Sequence, residues 1–254
     1  MDTSKIIEGK HIAVWFSCGA ASAVAAKLTL DIYGNDNKVS IVNNPIKEEH
    51  PDNQRFLRDV ESWLDFPIEF AVRSKYPSQS CEEVWDTRKF MSGHMGAPCT
   101  LELKKKARQE WEKVNKPDYT VLGFTAEELN RADRFRLTER DTLLTPLIDS
   151  GFTKEDCFRV IQDGGLKLPH IYSLGYPNAN CIGCVKASSA TYWNLVRETF
   201  PEVFLSRQEQ STKIGAKLVY YKGERIMLKD LPPDAKGHKL KGYDFECGIF
   251  CEEK

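Results

Sequence analysis

The sequence predicts an α/β protein in which a twisted parallel sheet is covered by helices on both faces. Over the first 150 residues, short apolar runs rich in β-forming residues alternate with segments of helical periodicity, a pattern typical of parallel strands joined by helical crossovers. The first run leads into a loop of small residues and an alanine-rich helix. After residue 150 this alternation weakens. We therefore expect a core over 1–150 and an extension over 151–254, packed as one compact unit.

Each strand of the core is predicted from an apolar run bounded by polar or turn-forming residues. The helices between them are predicted from apolar residues that recur on one face, such as Phe56, Val60 and Trp63. The predicted strands are HIAVWF (11–16), KVSIVNN (38–44), PIEFAV (67–72), YTVLGF (119–124) and TLLTPL (142–147), and the helices run from the first loop to Tyr33, over 53–64 and over 100–114.

The extension is predicted to contain helices and one hairpin. TKEDCFRVIQDGG ends in a glycine pair, which is typical of a helix C-terminus. SSATYWNLVRETF and PEVFLSRQEQSTKIG follow as helices, and KLVYYKGERIML indicates a hairpin that turns at Lys222-Gly223. Between the first helix and these lies the loop GYPNANCIGC, which holds two cysteines two residues apart.

Composition excludes some classes of protein and directs attention to the cysteines. The 36 lysines and arginines nearly balance the 37 acidic residues, so the chain lacks the global positive field of many nucleic-acid binders. No segment has the apolar length of a signal peptide core or a membrane span, and we expect a cytoplasmic protein without a membrane partner. In that compartment the eight cysteines are better interpreted as metal ligands or reactive thiols than as disulfides.

The loop SCGAAS after the first predicted strand is a candidate anion site. Small residues there let backbone N–H groups approach a phosphate at a helix N-terminus. Ser17 and Ser22 offer hydroxyl groups, and Gly19 permits close approach. The loop matches neither the Walker motif nor G-x-G-x-x-G. From spacing alone, a nucleotide-binding loop and an ordinary serine-capped turn remain equal interpretations.

Cys181 and Cys184 form a C-x-x-C pair, which zinc ribbons, redox dithiols and iron–sulfur sites all use. A zinc ribbon needs a second pair of this kind, whereas CGIFC in the tail has three intervening residues. A redox dithiol normally lies at a helix start beside a thioredoxin-like unit, which the turn-rich GYPNAN does not suggest. Cys157, in contrast, lies on the apolar side of its helix and is expected to be buried packing.

Several motifs together resemble the sulfonucleotide (PAPS and APS) reductases of the adenine nucleotide α-hydrolase-like, or PP-loop, superfamily. The similar segments are SCGAAS, EEHPDNQRFLRDV, APCTLELKKKARQEW, LGFTAEELNRADR, the long stretch from PLIDSG to GYPNANCIGC, and FECGIF near the end. The resemblance implies a parallel α/β fold and an adenine nucleotide ligand, which is APS, PAPS or ATP. It also implies substrate contacts at Lys104, Arg131 and Arg134, beside Ser17, Gly19 and Ser22 in the first loop.

The first loop departs from the pattern of the ATP-cleaving relatives, S-G-G-x-D-S. Cys18 and Ala21 stand where that pattern has Gly and Asp. In that pattern, the Asp carboxylate is suited to bind a magnesium ion on the pyrophosphate, and Ala21 cannot supply it. Its absence favours a reductase over an ATP-cleaving enzyme.

The resemblance also implies a [4Fe–4S] cluster with Cys99, Cys181 and Cys184 among its ligands. The cluster-bearing reductases use a Cys-Cys pair plus C-x-x-C, whereas this chain has Pro98-Cys99, so one ligand is missing locally. Cys251 is the predicted fourth ligand, with Cys81 the less favoured choice. Alternatively, the cluster keeps one site open, which in thiolating relatives could carry sulfide.

Cys247 is the predicted nucleophile, because FECGIF resembles the E-C-G-L-H tail of the reductases. Its thiolate would attack the sulfonate sulfur, and thioredoxin or a similar reductant would then release sulfite. Phe250 replaces the family's histidine. A second interpretation makes the two tail cysteines metal ligands without catalysis.

Two other functions remain open at this stage. One is an ATP-dependent sulfurtransferase that thiolates a nucleobase or nucleic acid with the help of the cluster. The other is a non-catalytic nucleotide or iron–sulfur binding protein that works with a partner. The sequence does not separate APS from PAPS, and it allows a homo-oligomer.

Overall fold

The computed structural model of the chain describes residues 7–93 and 96–240. These residues divide into two compact units. The first unit contains 7–44, 51–71 and 110–170, and the second contains 45–50, 72–93, 96–109 and 171–240. The predicted division at residue 150 stays a prediction. None of the helices in the described ranges is long and apolar enough to span a membrane.

The first unit is built on a five-stranded parallel sheet with the order β3-β2-β1-β4-β5. The central strand β1 is buried along its whole length and pairs in parallel with β2 and β4. A strand covered on both faces requires an uninterrupted apolar run, which HIAVWF supplies. The predicted α/β class is confirmed. The strands are β1 His11–Phe16, β2 Lys38–Asn43, β3 Ile68–Phe70, β4 Tyr119–Val121 and β5 Leu143–Leu144.

Helix α1 begins directly after the first loop and packs within the first unit against α6 and α7. Its alanine-rich side is buried, because small side chains allow helices to approach closely. The helices of the chain are α1 Ala20–Tyr33, α2 Asp52–Leu64, α3 Cys81–Arg88, α4 Ala107–Asn115, α5 Leu129–Thr138, α6 Pro146–Asp149, α7 Lys154–Asp163, α8 His170–Ser173, α9 Ala190–Thr199 and α10 Pro201–Ile214, with a π-helix at Thr100–Lys106 and 3-10 turns at Ala126–Glu128 and Leu228–Asp230.

The second unit is mainly helical and has its own apolar core. Tyr192, Trp193 and Phe204 from α9 and α10 are buried in that core, as their helical spacing indicates. The predicted hairpin forms from β6 Val219–Tyr221 and β7 Glu224–Ile226. It turns at Lys222 and Gly223, both of which have positive φ, the geometry of a tight hairpin turn.

Candidate iron–sulfur and nucleotide sites

Four cysteines of the second unit line one small cleft, which we name the thiol cleft. They come from three separate segments of the chain, and each is at most 8 % exposed. All four are reduced cysteines rather than disulfide partners. The lining consists of Cys81, Cys99, Cys181 and Cys184 together with Ile46, Trp85, Thr100, Lys104, Val185 and Lys186.

Cys81 is the first residue of α3, and the hydrogen bonds of the helix start fix its position. The Ser80 side chain caps the helix by accepting from the backbone N–H of Glu83. The Glu48 carboxylate accepts from the Ser80 hydroxyl at 2.7 Å and from the Cys81 backbone N–H at 2.8 Å. A carboxylate at this place satisfies donors that the first helical turn leaves unpaired. Glu48 therefore holds the backbone that carries Cys81.

Cys99 directly precedes the π-helix Thr100–Lys106. Such wide turns are rare and occur frequently at functional sites. Within this π-helix, Lys104 lines the thiol cleft. Its Nζ lies 3.6 Å from Glu49 Oε1, and both side chains are less than a tenth exposed. The sequence predicts a helix here, but not its π geometry.

Glu102 belongs to the same π-helix and anchors it through ion pairs with Arg88 and Lys106. Its side chain is fully buried and accepts from Lys106 Nζ at 2.9 Å and from Arg88. Burial opposes its ionisation, but the hydrogen bonds from Lys106 and Arg88 outweigh burial and hold the pKa of Glu102 below its ordinary value. The carboxylate therefore stays charged and keeps these two cations in place.

The C-x-x-C segment forms a tight loop that depends on one glycine and two backbone hydrogen bonds. Gly183 has φ +66°, and a side chain there would meet Val203 and the Arg207 stem at 3.0–3.2 Å. The backbone N–H of Ile182 donates to the Glu48 carbonyl at 2.9 Å. The backbone N–H of Cys184 donates to the buried Tyr192 hydroxyl at 2.8 Å. Glu48 thus contacts both the Cys81 helix and the C-x-x-C loop.

Three thiols of the cleft are linked by hydrogen bonds, with Cys81 between Cys181 and Cys99. Cys81 keeps its proton, because hydrogen bonds with Cys181 and Cys99 raise its pKa well above the ordinary value. The hydrogen bond from Cys81 lowers the pKa of Cys99, and the Trp85 indole and the Lys104 charge add to that effect. Thiolates are the form that binds iron, and Lys104 supplies positive charge beside them.

Trp85 completes the wall of the thiol cleft. It is 2 % exposed, and the Arg207 guanidinium stacks on its ring at 4.7 Å. Arg207 is itself buried and pairs with Glu82 at 2.5 Å. Among the residues that the structure describes, Trp85 Nε1 has no partner in full hydrogen-bond geometry. It nevertheless lies near enough to Cys99 to lower the pKa of that thiol.

The donors of the thiol cleft fit a [4Fe–4S] cluster. Such clusters are held by four cysteine thiolates, and four line this cleft. Trp85 and Lys104 add a buried N–H and a positive charge for an anionic group. In the ranges 7–93 and 96–240, no group of three or more His, Cys, Asp or Glu is arranged to hold a single metal ion. A cluster distributes its ligands over four irons, so its thiolates do not have to meet at one point.

The first loop, in the other unit, lies at the carboxyl end of β1. The Ser17 backbone N–H donates to Ser22 Oγ at 3.1 Å, and that hydroxyl donates to the Gly19 carbonyl at 2.9 Å. Cys18 takes the left-handed conformation with φ +57°. A Cβ at Gly123, just after β4, would lie 2.7 Å from the Ser22 nitrogen. Gly123 therefore lets the end of β4 approach the start of α1.

Arg131 and Arg134 both lie on α5 of the first unit. Arg131 pairs with Glu128 at 2.7 Å and lies over the Phe124 ring at 4.9 Å. Arg134 is exposed. Their predicted contact with a nucleotide anion stays a prediction.

The structure brings some of the predicted site residues together. Cys99, Cys181, Cys184 and Lys104 line the thiol cleft, whereas Ser17, Gly19 and Ser22 form the first loop. Cys247 and Cys251 lie outside the described residues, so their predicted roles stay predictions. Sequence reasoning gave little weight to Cys81 and missed Trp85 and Glu48. The signal for Cys81 was SQSCEE, in which a serine cap precedes a cysteine at a helix start.

Comparison with known proteins supports the fold. No family model matches the chain, and no curated protein matches it. Among solved structures, the U34-tRNA thiolase NcsA from Methanococcus maripaludis, with its [4Fe–4S] cluster, is similar with a TM-score of 0.51 and 11 % identity, over 99 % of this chain and 86 % of that one. A PAPS reductase from Candida auris, in a phosphate complex, matches with a TM-score of 0.45 and 12 % identity, over 65 % of this chain and 78 % of that one. The chain therefore shares its overall fold with NcsA, as the predicted parallel α/β class requires.

Proposed function

We propose that this chain is an iron–sulfur enzyme that reduces the sulfonate of an adenylyl sulfate, APS or PAPS, and releases sulfite. The observation that carries the proposal is the set of four buried thiols in the thiol cleft. Four thiolates can bind all four irons of a cluster, which leaves no iron open to carry a transferable sulfide. The reacting sulfur nucleophile is then a separate cysteine of the chain.

The proposed cluster ligands are Cys81, Cys99, Cys181 and Cys184. Because Cys81 supplies a fourth thiol, the predicted ligand Cys251 is not needed to complete the set. When bound, a cluster would tie three chain segments together and supply a one-electron redox centre. The chain's own part is to hold the thiolates with Glu48 and Gly183 and to place the Lys104 charge beside them.

The nucleotide phosphate is proposed to bind at the first loop. Backbone N–H groups at the start of the long helix α1 favour an anion, and no acidic side chain lies in its first turn. The hydrogen bonds between Ser17, Gly19 and Ser22 hold the loop in one conformation. Ala21 stands where the ATP-cleaving pattern has Asp, which supports a substrate that needs no magnesium-bound pyrophosphate.

The proposed reaction uses Cys247 as the nucleophile. Its thiolate attacks the sulfonate sulfur, so that an S–S bond forms while the S–O bond to phosphate breaks and the nucleoside phosphate leaves with the electron pair. A dithiol protein such as thioredoxin then attacks the Cys247 sulfur, and sulfite leaves. The second thiol of that protein restores Cys247, and the dithiol is oxidised to a disulfide.

The test measures sulfite release by anaerobically reconstituted protein with thioredoxin and either APS or PAPS. We expect sulfite from one of them, loss of release in Cys247→Ser with the iron content unchanged, and retained activity in the matched Cys251→Ser variant. The proposal fails if the iron-loaded protein releases no sulfite from either substrate, or if Cys247→Ser is as active as the wild type. Nucleotide binding without turnover would indicate the non-catalytic binding protein.

A second candidate is a cluster-dependent thiolase that acts on tRNA. It is favoured by the fold shared with NcsA, which extends over 99 % of this chain. It requires that one of the four thiols does not bind iron, so that one iron of the cluster is open to carry sulfide. Incubation of the cluster-loaded protein with ATP, tRNA and inorganic sulfide would then give AMP, pyrophosphate and thiolated tRNA, and the absence of all three would exclude this candidate.

A further inference from the structure

Trp85 is a buried hydrogen-bond donor whose place in the second unit is otherwise unexplained. It lies one helical turn after Cys81 on α3, so both side chains point from the same face of that helix. Both line the thiol cleft. Within the described ranges its Nε1 has no hydrogen-bond partner, and the residue is only 2 % exposed. A buried donor of this kind calls for an explanation, and Trp85 differs from other such donors of the described residues, Trp15 among them, because it lines the cleft that holds four cysteines.

The ring of Trp85 is fixed in its orientation by its neighbours. The Arg207 guanidinium stacks on the ring at 4.7 Å, and the pairing of Arg207 with Glu82 at 2.5 Å holds the guanidinium there. Glu82 belongs to the same helix as Trp85. Because ring, guanidinium and carboxylate lock one another, the indole N–H is not expected to turn out to water. Its acceptor therefore has to be a group that lines the thiol cleft or is bound in it.

Sulfur is the acceptor that the thiol cleft offers. The indole N–H faces Cys99 without reaching full hydrogen-bond geometry. A neutral thiol is a weak acceptor, whereas a thiolate bound to iron carries negative charge and accepts more strongly. Hydrogen bonds to cluster sulfurs are among the protein's means of setting a reduction potential.

We infer that Trp85 is a positioning residue that donates its indole N–H to the Cys99 thiolate of a bound cluster and thereby raises the cluster's reduction potential. The inference rests on the proposed cluster and concerns neither the substrate nor the tail. The donor stabilises the more negative, reduced form of the cluster more than the oxidised form. Its removal therefore lowers the midpoint potential.

The test compares Trp85→Phe with Trp15→Phe in the reconstituted protein. Trp15 is the matched control, because it is equally buried at 2 % exposure, has an Nε1 without a partner among the described residues, and is not part of the cleft lining. We expect Trp85→Phe to bind the full iron content with a lowered midpoint potential and a shifted Fe–S(Cys) stretching frequency. Trp15→Phe should leave both at the wild-type values. An unchanged potential in iron-loaded Trp85→Phe would overturn the inference.

A second measurement does not depend on the folding of any variant. Pulsed EPR of the reduced wild-type cluster, with tryptophan labelled by ¹⁵N at the indole, should detect coupling to one indole nitrogen and to its exchangeable proton. The absence of that coupling in the cluster-bearing protein would refute the role of Trp85 and leave the proposed reductase intact. A wild-type protein that assembles no cluster would refute both.

Discussion

Glu48 offers the most quantitative test of how the thiol cleft is held. Its carboxylate accepts from the Ser80 hydroxyl at 2.7 Å and the Cys81 backbone N–H at 2.8 Å through different oxygens. In Glu48→Gln one oxygen becomes an NH₂ group that faces a donor, and the other bond loses its charge. A hydrogen bond to a charged group contributes about 1.5–3 kcal/mol and a neutral one about 0.5–1.5 kcal/mol. The charge at the helix start contributes about 0.3–1 kcal/mol more.

These terms predict that Glu48→Gln lowers the free energy of unfolding of the cluster-free protein by roughly 2 kcal/mol. Urea denaturation followed by circular dichroism measures it. Because the same carboxylate orients Cys81, we also expect the affinity for the cluster to fall by about 10–100-fold, as for other groups that orient metal ligands. Glu83→Gln is the control, since Glu83 lies in the first turn of α3 with Cys81 but is exposed, and among the described residues its carboxylate accepts a hydrogen bond only from Ser78. Equal stability and iron content in the two variants would refute this role of Glu48.

Three further outcomes follow from the contacts of the described residues. Gly123→Ala should lose nucleotide binding in calorimetry and lower the melting temperature, because its Cβ would lie 2.7 Å from the Ser22 backbone; wild-type binding would contradict the close approach. Burial raises the pKa of Cys157 to about 12, so this thiol should stay unmodified by iodoacetamide at pH 8 in the native protein, and rapid alkylation, seen by mass spectrometry, would contradict its burial. The pKa of Glu102 is lower folded than unfolded, so its contribution to stability is present above its ordinary pKa and is lost as pH falls below it. Acid titration of the unfolding free energy should therefore show a shallower slope in Glu102→Gln than in wild type, and identical slopes would contradict the pKa shift.

Much of the fold could be predicted from the sequence because its signals are local. β1 is buried along its whole length, and an apolar run of its kind has few alternatives to a central parallel strand. The hairpin at Lys222-Gly223 is equally local, since two residues with positive φ define the turn. The π geometry at Thr100–Lys106 was not predictable, because TLELKKK has the composition of an ordinary α-helix. The turn also carries the buried Glu102, which pairs with Arg88 from a distant part of the sequence, and such a contact cannot be read from the segment alone.

The candidate site was predictable only where a motif marked it. Cys181 and Cys184 were found by their spacing, and Cys99 by resemblance to a family pattern. Cys81 joins them through contacts between segments far apart in the sequence. Glu48 likewise acts through a carbonyl and a carboxylate that bind two separate segments. Residue spacing does not predict such contacts, because they form only when the second unit folds.

The central claim is that four cysteines of the thiol cleft hold one [4Fe–4S] cluster. The most direct measurement is the iron content and visible absorption of anaerobically purified protein for single serine variants of the four, with Cys251→Ser and Cys157→Ala compared. We predict that Cys81→Ser, Cys99→Ser, Cys181→Ser and Cys184→Ser each lose iron and the visible band, while the two comparison variants match the wild type. Full iron content in Cys81→Ser, together with its loss in Cys251→Ser, would contradict the account.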